Sequence, residues 1–196
     1  MNKNKNRIEG SPFMGGSSSV AVGGRRALTQ ARRVALVGIM AATIECGKLA
    51  LAAVPNVEAV TLLTALFGYV FGLSGVLATV VFVCIEPIIW GVGPWFISYL
   101  LYWPAVAMIF WLLGRRRSVG IILPTALAVL LTVFFGLLTS LVEVGLFSGS
   151  YDSFFYRFSV YYLRGVWFYV TQTVTNAVIF PLLFKPLSTL LRRVKL

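Results

Sequence analysis

Long runs of apolar residues, broken by glycine, proline or clustered charges, dominate the chain. About 20 such residues are enough for a helix to cross a bilayer. The pattern predicts helices at residues 28–54, 76–90, 95–113 and 121–147, a short helix at 60–71, and a final segment at 156–191 that is too long for one crossing. Asn176 and Pro181 are expected to bend this last segment, because proline removes a helical hydrogen bond.

Composition favours a membrane protein over a soluble one. Of 196 residues, 59% are hydrophobic and 12% are charged, whereas a soluble domain has about a quarter of its residues charged. We predict an all-α integral membrane protein with six transmembrane helices in residues 27–196. Residues 1–26 are predicted to be a disordered cytoplasmic tail, in which 1–13, ahead of Met14, are a candidate non-native extension. The tail lacks the apolar region of a cleavable signal peptide.

The 17 lysines and arginines, which give a formal net charge of +11, form clusters between the apolar runs. Such clusters flank helices on the cytoplasmic side of a membrane. Placing residues 1–33, 115–117 and 185–195 inside puts both termini in the cytoplasm and outer loops at 54–59, 91–95 and 148–156. A re-entrant hairpin of segments two and three, with four crossings in all, is the alternative. The basic residues form no continuous surface interleaved with aromatics, so nucleic-acid binding is not expected.

Ionisable residues gather on the predicted outer side. Five of the six acidic residues lie there, with three basic ones, and charged groups at membrane depth normally face a cavity or a partner. Glu45 and Lys48 are three apart on one helix and are expected to form an ion pair. Aromatic residues concentrate on the same side, as in a pocket for a flat organic ligand. The acidic residues are Glu45, Glu58, Glu86, Glu143 and Asp152, and the basic ones are Lys48, Arg157 and Arg164.

The last helix carries polar and aromatic residues at a spacing of three to four, so they share one face that should point inward. Helix–helix hydrogen bonding is the competing explanation for this face. Combined with the outer loops, it gives a set of candidate substrate-binding residues. They are Asn56, Glu58, Glu86, Trp90, Trp95, Tyr99, Trp103, Glu143, Arg157, Tyr161, Arg164, Phe168 and Gln172.

Enzymatic chemistry is not expected from this sequence. It contains no histidine, which excludes histidine-dependent nucleophilic catalysis and histidine metal sites. Cys46 and Cys84 form no paired motif and are expected to be small buried residues. We therefore predict no catalytic residue, no cofactor and no metal.

Four short segments point to a known family. They are LAAVPNVEAVTLL at 51–63 with FGYVFG at 67–72, EPIIWGVGPW at 86–95, and NAVIFPL at 176–182. Together they resemble the substrate-binding membrane subunits (S components) of energy-coupling factor transporters, which take up vitamins. The resemblance extends over residues 27–193. It implies a six-helix protein of the plasma membrane that binds its ligand near the outer face, between helices 4–6 and the loops after helices 1, 3 and 5.

The same resemblance implies partners and a mechanism. The subunit would capture a vitamin-like ligand and deliver it inward with a coupling subunit and two ATPase subunits of an ABC transporter. Ala27, Ala31 and Ala35 match the small-residue motif by which family members dock on the coupling subunit. The chain has no GxxxxGK[ST] phosphate loop of its own. The ligand is unassigned, with cobalamin-type compounds among the candidates and Cys84 as a conceivable cobalt ligand.

Two other classes of function remain open. A stand-alone secondary transporter would couple uptake to protons through Glu45, Glu86 or Glu143, with the short second segment as a broken helix. A structural or assembly protein would bind no small ligand at all.

Overall fold

A computed structural model of the chain describes residues 16–54, 57–116, 119–147 and 152–194, with side chains from residue 30 onward. It divides into two compact units, residues 1–35 and 36–196. Throughout the described ranges the regular secondary structure is helical. The predicted all-α class is confirmed.

Among the described residues, five helical segments are long and apolar enough to cross a membrane: Gln30–Leu51, Leu73–Trp90, Trp95–Gly114, Ile122–Phe147 and Phe154–Val194. The chain is therefore a multi-span membrane protein. The sixth apolar helix, with 12 residues, is about 18 Å long and shorter than the ~30 Å hydrocarbon core. The placement of both termini in the cytoplasm stays a prediction. The helices are α1 Gly16–Leu51, α2 Val60–Phe71, α3 Leu73–Trp90, α4 Trp95–Gly114, α5 Ile122–Phe147, α6 Phe154–Ile179 and α7 Lys185–Val194, with a π-helical turn at Phe180–Phe184.

The described part of the first unit is the beginning of α1. The helix begins at Gly16, ahead of the predicted start near Leu28, while the disordered cytoplasmic tail stays a prediction. Residues 16–26 contain no proline, and glycine or serine lowers helix stability by only about 0.5–1 kcal/mol per residue. The prediction for the tail up to residue 15 lies outside the described residues. Ala31 and Ala35 are both exposed.

In the second unit, α2 is the central helix, and nine of its residues are buried. Glycines allow neighbouring backbones to approach it closely. A Cβ atom at Gly68 would overlap the backbone of Ala107 in α4, and one at Gly75 would overlap that of Phe67. Gly72 alone connects α2 to α3, and its φ of +63° lies in the left-handed region that favours glycine. The core therefore forms around a tight helical hairpin packed on α4.

The last three helical segments are continuous. Pro181 lies within the π-helical turn between α6 and α7, where the helix accommodates the missing N–H of proline by widening one turn. The predicted irregularity at Pro181 is thus present. At about 1.5 Å per residue, the 41 residues from Phe154 to Val194 exceed the thickness of the hydrocarbon core, as the sequence indicated.

Basic side chains lie at one end of the second unit, where α4 ends, α5 begins and α7 is located. We call this end the basic end. The guanidinium of Arg115 lies 4.6 Å from the ring centroid of Trp111, and that of Arg192 lies 4.9 Å from the ring centroid of Tyr69. Tyr69 is near the C-terminus of α2. The N-terminus of α2 therefore points away from the basic end, toward the cavities described next.

Candidate ligand-binding cleft

Three adjoining cavities lie at the end of the second unit opposite the basic end, and together we call them the cleft. The tip cavity, between α5 and α6, has a volume of about 320 Å³. The middle cavity, of about 430 Å³, shares Glu143, Tyr161 and Arg164 with it. The deep cavity, of about 290 Å³, shares Tyr99 and Phe168 with the middle one. Volumes of this size are at the lower end of the range for small-molecule sites.

The tip cavity combines charges of both signs. Glu143 reaches it from α5, whereas Arg157 and Arg164 reach it from α6. Arg164 is exposed, and Glu143 is partly buried. Neither of these two side chains forms an ion pair with another residue in the described part of the chain. The cavity thus presents a carboxylate and a guanidinium that are both available to a bound molecule.

Rings dominate the middle cavity. Trp95 and Tyr99 of α4 meet edge to face with centroids 5.0 Å apart, and Tyr99 lies 6.1 Å from Phe135 of α5. Tyr169 fits between α5 and α6 because Gly136 has no side chain to overlap its ring. Ring walls of this kind suit a planar or apolar molecule.

Polar atoms of the middle cavity are few. The hydroxyls of Thr139 and Tyr169 lie 3.3 Å apart. Ser98 is 1% exposed, and its hydroxyl has no hydrogen-bond partner among the described residues. A buried hydroxyl normally has a partner, so Ser98 is available to hydrogen-bond a ligand.

The deep cavity is built around Lys48. Its ammonium group donates to the carboxylate of Glu86 and lies 5.3 Å and 5.6 Å from the ring centroids of Trp90 and Tyr99. Glu86 is 1% exposed. A carboxylate at this depth is costly without a charged partner, so Lys48 is required to compensate it. The amino group is thereby fixed at the wall of the cavity.

Two further polar residues line the deep cavity. Trp103 and Gln172, which are 4% and 7% exposed, line it from α4 and α6. The indole N–H of Trp103 and the side-chain oxygen of Gln172 have no partner in the part of the chain that the structure describes. One is a donor and the other an acceptor, so they offer complementary contacts to a ligand.

Glu58 lines the deep cavity but has structural partners. Its carboxylate accepts from the backbone N–H of Thr61 at 3.0 Å and from the Thr61 hydroxyl. The side-chain amide of Asn176, which is fully buried, donates to Glu58 at 3.3 Å and to Thr132 at 3.0 Å. Glu58 therefore caps the first turn of α2 and connects it to α5 and α6, and the polar face of α6 does include the helix–helix bonding considered above.

One predicted pairing is wrong. Lys48 pairs with Glu86 across 38 residues of sequence rather than with its neighbour Glu45. Neither oxygen of Glu45 has a hydrogen-bond partner among the described residues, although the carboxyl interacts electrostatically with Glu86 and Lys48. Lys48 takes the deeper carboxylate because Glu86, at 1% exposure, is more completely withdrawn from solvent than Glu45, at 8%.

The cysteines also differ from expectation. Cys46 and Cys84 are exposed rather than buried, because each lies on the outward face of its apolar helix. Neither lines one of the described cavities. The structure therefore gives no support to a contact between Cys84 and a ligand in the cleft.

The structure brings nearly all of the candidate binding residues together. Asn56 lies outside the described residues, and Glu86 lies behind Lys48 rather than on a cavity wall. The others line the cleft: Glu58, Trp90, Trp95, Tyr99, Trp103, Glu143, Arg157, Tyr161, Arg164, Phe168 and Gln172. That they bind a substrate stays a prediction.

The sequence interpretation missed several wall residues. Phe135 and Thr139 precede Glu143 at four-residue spacing on α5, and Ser98 is three residues after Trp95 on α4. The helical spacing would have placed all three beside predicted residues. Lys48 was predicted to form an ion pair but not to line a cavity. Its position depends on its partner in α3, and no pattern along the sequence relates the two residues.

Fold and cleft together define the class: a multi-span α-helical membrane protein with a ligand-sized, aromatic and charged cleft near one end. Searches of protein-family models, of curated proteins and of solved structures find no match to this chain.

Proposed function

We propose that this chain is the substrate-binding subunit of an energy-coupling factor transporter. In this role it captures a vitamin-like ligand in the cleft at the outer face of the plasma membrane. A coupling subunit and two ATPase subunits then drive delivery of the ligand to the cytoplasm. The observation that carries the proposal is the cleft, in which Ser98, Trp103 and Gln172 hold buried polar atoms without a partner among the described residues. Such atoms are rare in folded proteins unless a ligand or water completes them.

The walls of the cleft favour an elongated organic ligand. Trp95, Tyr99 and Phe168 form an apolar middle suited to a ring. Arg164 at one end and the Trp103–Gln172 pair at the other provide polar contacts for both extremities of the molecule. The proposal is further supported by the resemblance of residues 51–72, 86–95 and 176–182 to this transporter family.

Mass spectrometry of the protein purified in mild detergent tests ligand capture directly. We expect a small organic molecule to co-purify at near-stoichiometric amount. Ser98→Ala should reduce its occupancy, because a buried contact to the ligand is lost. Ser140→Ala is the matched control, since the Ser140 hydroxyl is equally buried but donates to the Gly136 carbonyl at 2.8 Å. Protein that carries no ligand and shows no thermal shift with any vitamin would contradict the proposal.

The small residues of α1 account for docking on the coupling subunit. Ala31 and Ala35 are exposed, while the side chain of Ala27 lies outside the described side chains. Ala35→Leu should preserve ligand occupancy and reduce recovery of the coupling and ATPase subunits from native membranes. Ala126→Leu, at an exposed position of α5, is the control and should leave recovery unchanged. Loss of ligand with intact recovery would reverse these assignments.

A proton-coupled secondary transporter is the second candidate, and one observation favours it. Glu45 and Glu86 lie together inside the apolar region with a single cation, Lys48, between α1 and α3. Buried carboxylates of this kind occur in proton relays. Vesicles that contain only this protein distinguish the candidates: uptake driven by a pH gradient would favour the secondary transporter, and uptake that requires the ATPase subunits would favour the proposal above.

A further inference from the structure

A separate cavity of about 210 Å³ lies at the basic end. One side is formed by α7, which contributes Lys185, Ser188 and Arg192. The other side is formed by residues 119–121, which directly precede α5. Two cationic side chains thus converge on one concave surface. None of the residues of this cavity lines the cleft.

The geometry of α7 fixes those cations at the cavity. Leu187 and Leu191 pack against the hydrophobic core, while Lys185 and Arg192 are exposed. The helix is therefore amphipathic, with its apolar face toward the protein, as in helices that lie at a membrane surface. The Arg192 guanidinium is further oriented by the ring of Tyr69, 4.9 Å away.

None of the acidic residues that the structure describes compensates the positive charge of this cavity. The five acidic residues that the structure describes are at the cleft or at the opposite end of α6: Glu45, Glu58, Glu86, Glu143 and Asp152. Lys185 and Arg192 form no ion pair with another described residue. An anion that enters the cavity would meet two cations without displacing a carboxylate.

A groove with both apolar and basic residues continues from the same cavity along the outside of α7. It shares Lys185 and Thr189 with the cavity and adds Pro181, Pro186, Leu190 and Arg193. Leu190 is 57% exposed. A free phosphate ion would leave the apolar part of this groove, Pro181, Pro186 and Leu190, uncovered, whereas the acyl chain of a lipid would cover it.

We propose that the cavity between α7 and residues 119–121 binds the phosphate of an anionic phospholipid. Lys185 and Arg192 contact the phosphate, and an acyl chain lies along Pro181 and Leu190. Basic pockets between helix ends are the usual sites for such headgroups. The bound lipid connects α7 to the start of α5 and fixes both at the membrane boundary.

Native mass spectrometry of the purified full-length chain in mild detergent tests this inference. We expect phosphatidylglycerol to bind with one tight site and phosphatidylcholine of the same acyl chains to bind much more weakly. Lys185→Gln should lower the phosphatidylglycerol affinity about fivefold, the usual contribution of one basic residue. Arg192→Gln should have a similar effect. Arg192→Gln also removes the contact with Tyr69 and could therefore be unstable. In that case Lys185→Gln alone still tests the site.

Arg116→Gln is the matched control, because Arg116 is exposed at the same end but lines neither the cavity nor the groove. Unchanged affinity in this variant supports a defined site. An equal loss in Arg116→Gln, equal binding of the two lipids, or displacement of phosphatidylglycerol by millimolar inorganic phosphate would each overturn the inference. None of these outcomes depends on whether the cleft holds a ligand.

Discussion

Removing the charge of Lys48 should destabilise the protein more than removing that of Glu86. Lys48 is the cation for two carboxylates, since it pairs with Glu86 and interacts with Glu45. In Lys48→Met both carboxylates remain in the apolar region without it. In Glu86→Gln the lysine keeps Glu45 and the ring of Trp90. The two substitutions break the same ion pair and should nevertheless have unequal effects.

The expected magnitudes follow from burial. Removing one partner of a fully buried pair costs about 3–5 kcal/mol, and we expect this range for Lys48→Met because Glu86 is 1% exposed. The side chain of Lys48 is 25% exposed, so water still hydrates its charge in the Glu86→Gln variant. This substitution should therefore cost only about 1–2 kcal/mol. The double variant Lys48→Met/Glu45→Gln should recover part of the loss, because only one carboxylate then lacks a cation.

Reversible unfolding of ligand-free protein in mixed detergent micelles, followed by tryptophan fluorescence, measures these differences. Arg116→Met, at an exposed position, is the control for loss of a cationic side chain and should change stability by less than about 0.5 kcal/mol. The reasoning is refuted if Glu86→Gln costs more than Lys48→Met, or if Glu45→Gln makes Lys48→Met worse.

Three further predictions concern packing and the cleft. Gly68→Ala should destabilise the protein by at least about 1–3 kcal/mol, because the added Cβ would overlap Ala107. Gly38→Ala, where nothing lies within 4 Å of the added Cβ, should be neutral or stabilising in the same unfolding assay. Equal effects of the two substitutions would contradict the packing of α2 on α4. Asn176→Leu should lower the free energy of unfolding by about 2–4 kcal/mol, because Glu58 loses one hydrogen bond and the amide is replaced by a larger apolar group. A neutral result in thermal denaturation would contradict the hydrogen-bond network. Gln172→Met should leave the ligand-free protein as stable or more stable, because a buried acceptor without a partner is removed, yet lower ligand affinity several-fold by calorimetry; unchanged affinity would exclude Gln172 from the site.

Helix positions were predictable because the signals for them are local. The structure begins and ends α2 at Val60 and Phe71, as predicted, since the apolar run stops at Gly72. The last predicted helix residue before the 91–94 loop is likewise Trp90. Apolar runs and glycines of this kind act within a few residues, so one sequence suffices to find them.

Partners across the fold were not predictable in the same way. The local pattern offers Lys48 only Glu45, three residues away, whereas its ion-pair partner is on another helix. The choice depends on how deeply each carboxylate lies after α1 and α3 pack together. Glu58 shows the same limit: its outer-loop position suggested a ligand contact, but the structure also gives it Thr61 and Asn176 as partners.

The contrast between two groups of buried polar residues separates structure from binding. The Asn176 amide donates to Thr132 and to Glu58 where α2, α5 and α6 meet, so these bonds stabilise the fold with no ligand present, although the Asn176 side-chain oxygen has no partner among the described residues. Ser98 and Gln172 are also buried but line cavities and have no partner for a polar atom among the described residues. Each such atom costs about 1–3 kcal/mol when unsatisfied.

That cost is informative because apolar residues of similar size would avoid it. Polar atoms of Glu45, Thr64, Glu86, Tyr102 and Asn176 are also without a hydrogen-bond partner among the described residues, and these residues line none of the described cavities. Ser98, Trp103 and Gln172 differ because these residues, from α4 and α6, line adjoining parts of one cleft. A molecule that satisfied all three would recover the cost on binding. The ligand-free protein should therefore be measurably less stable than the ligand-bound one, by more than contact area alone would provide.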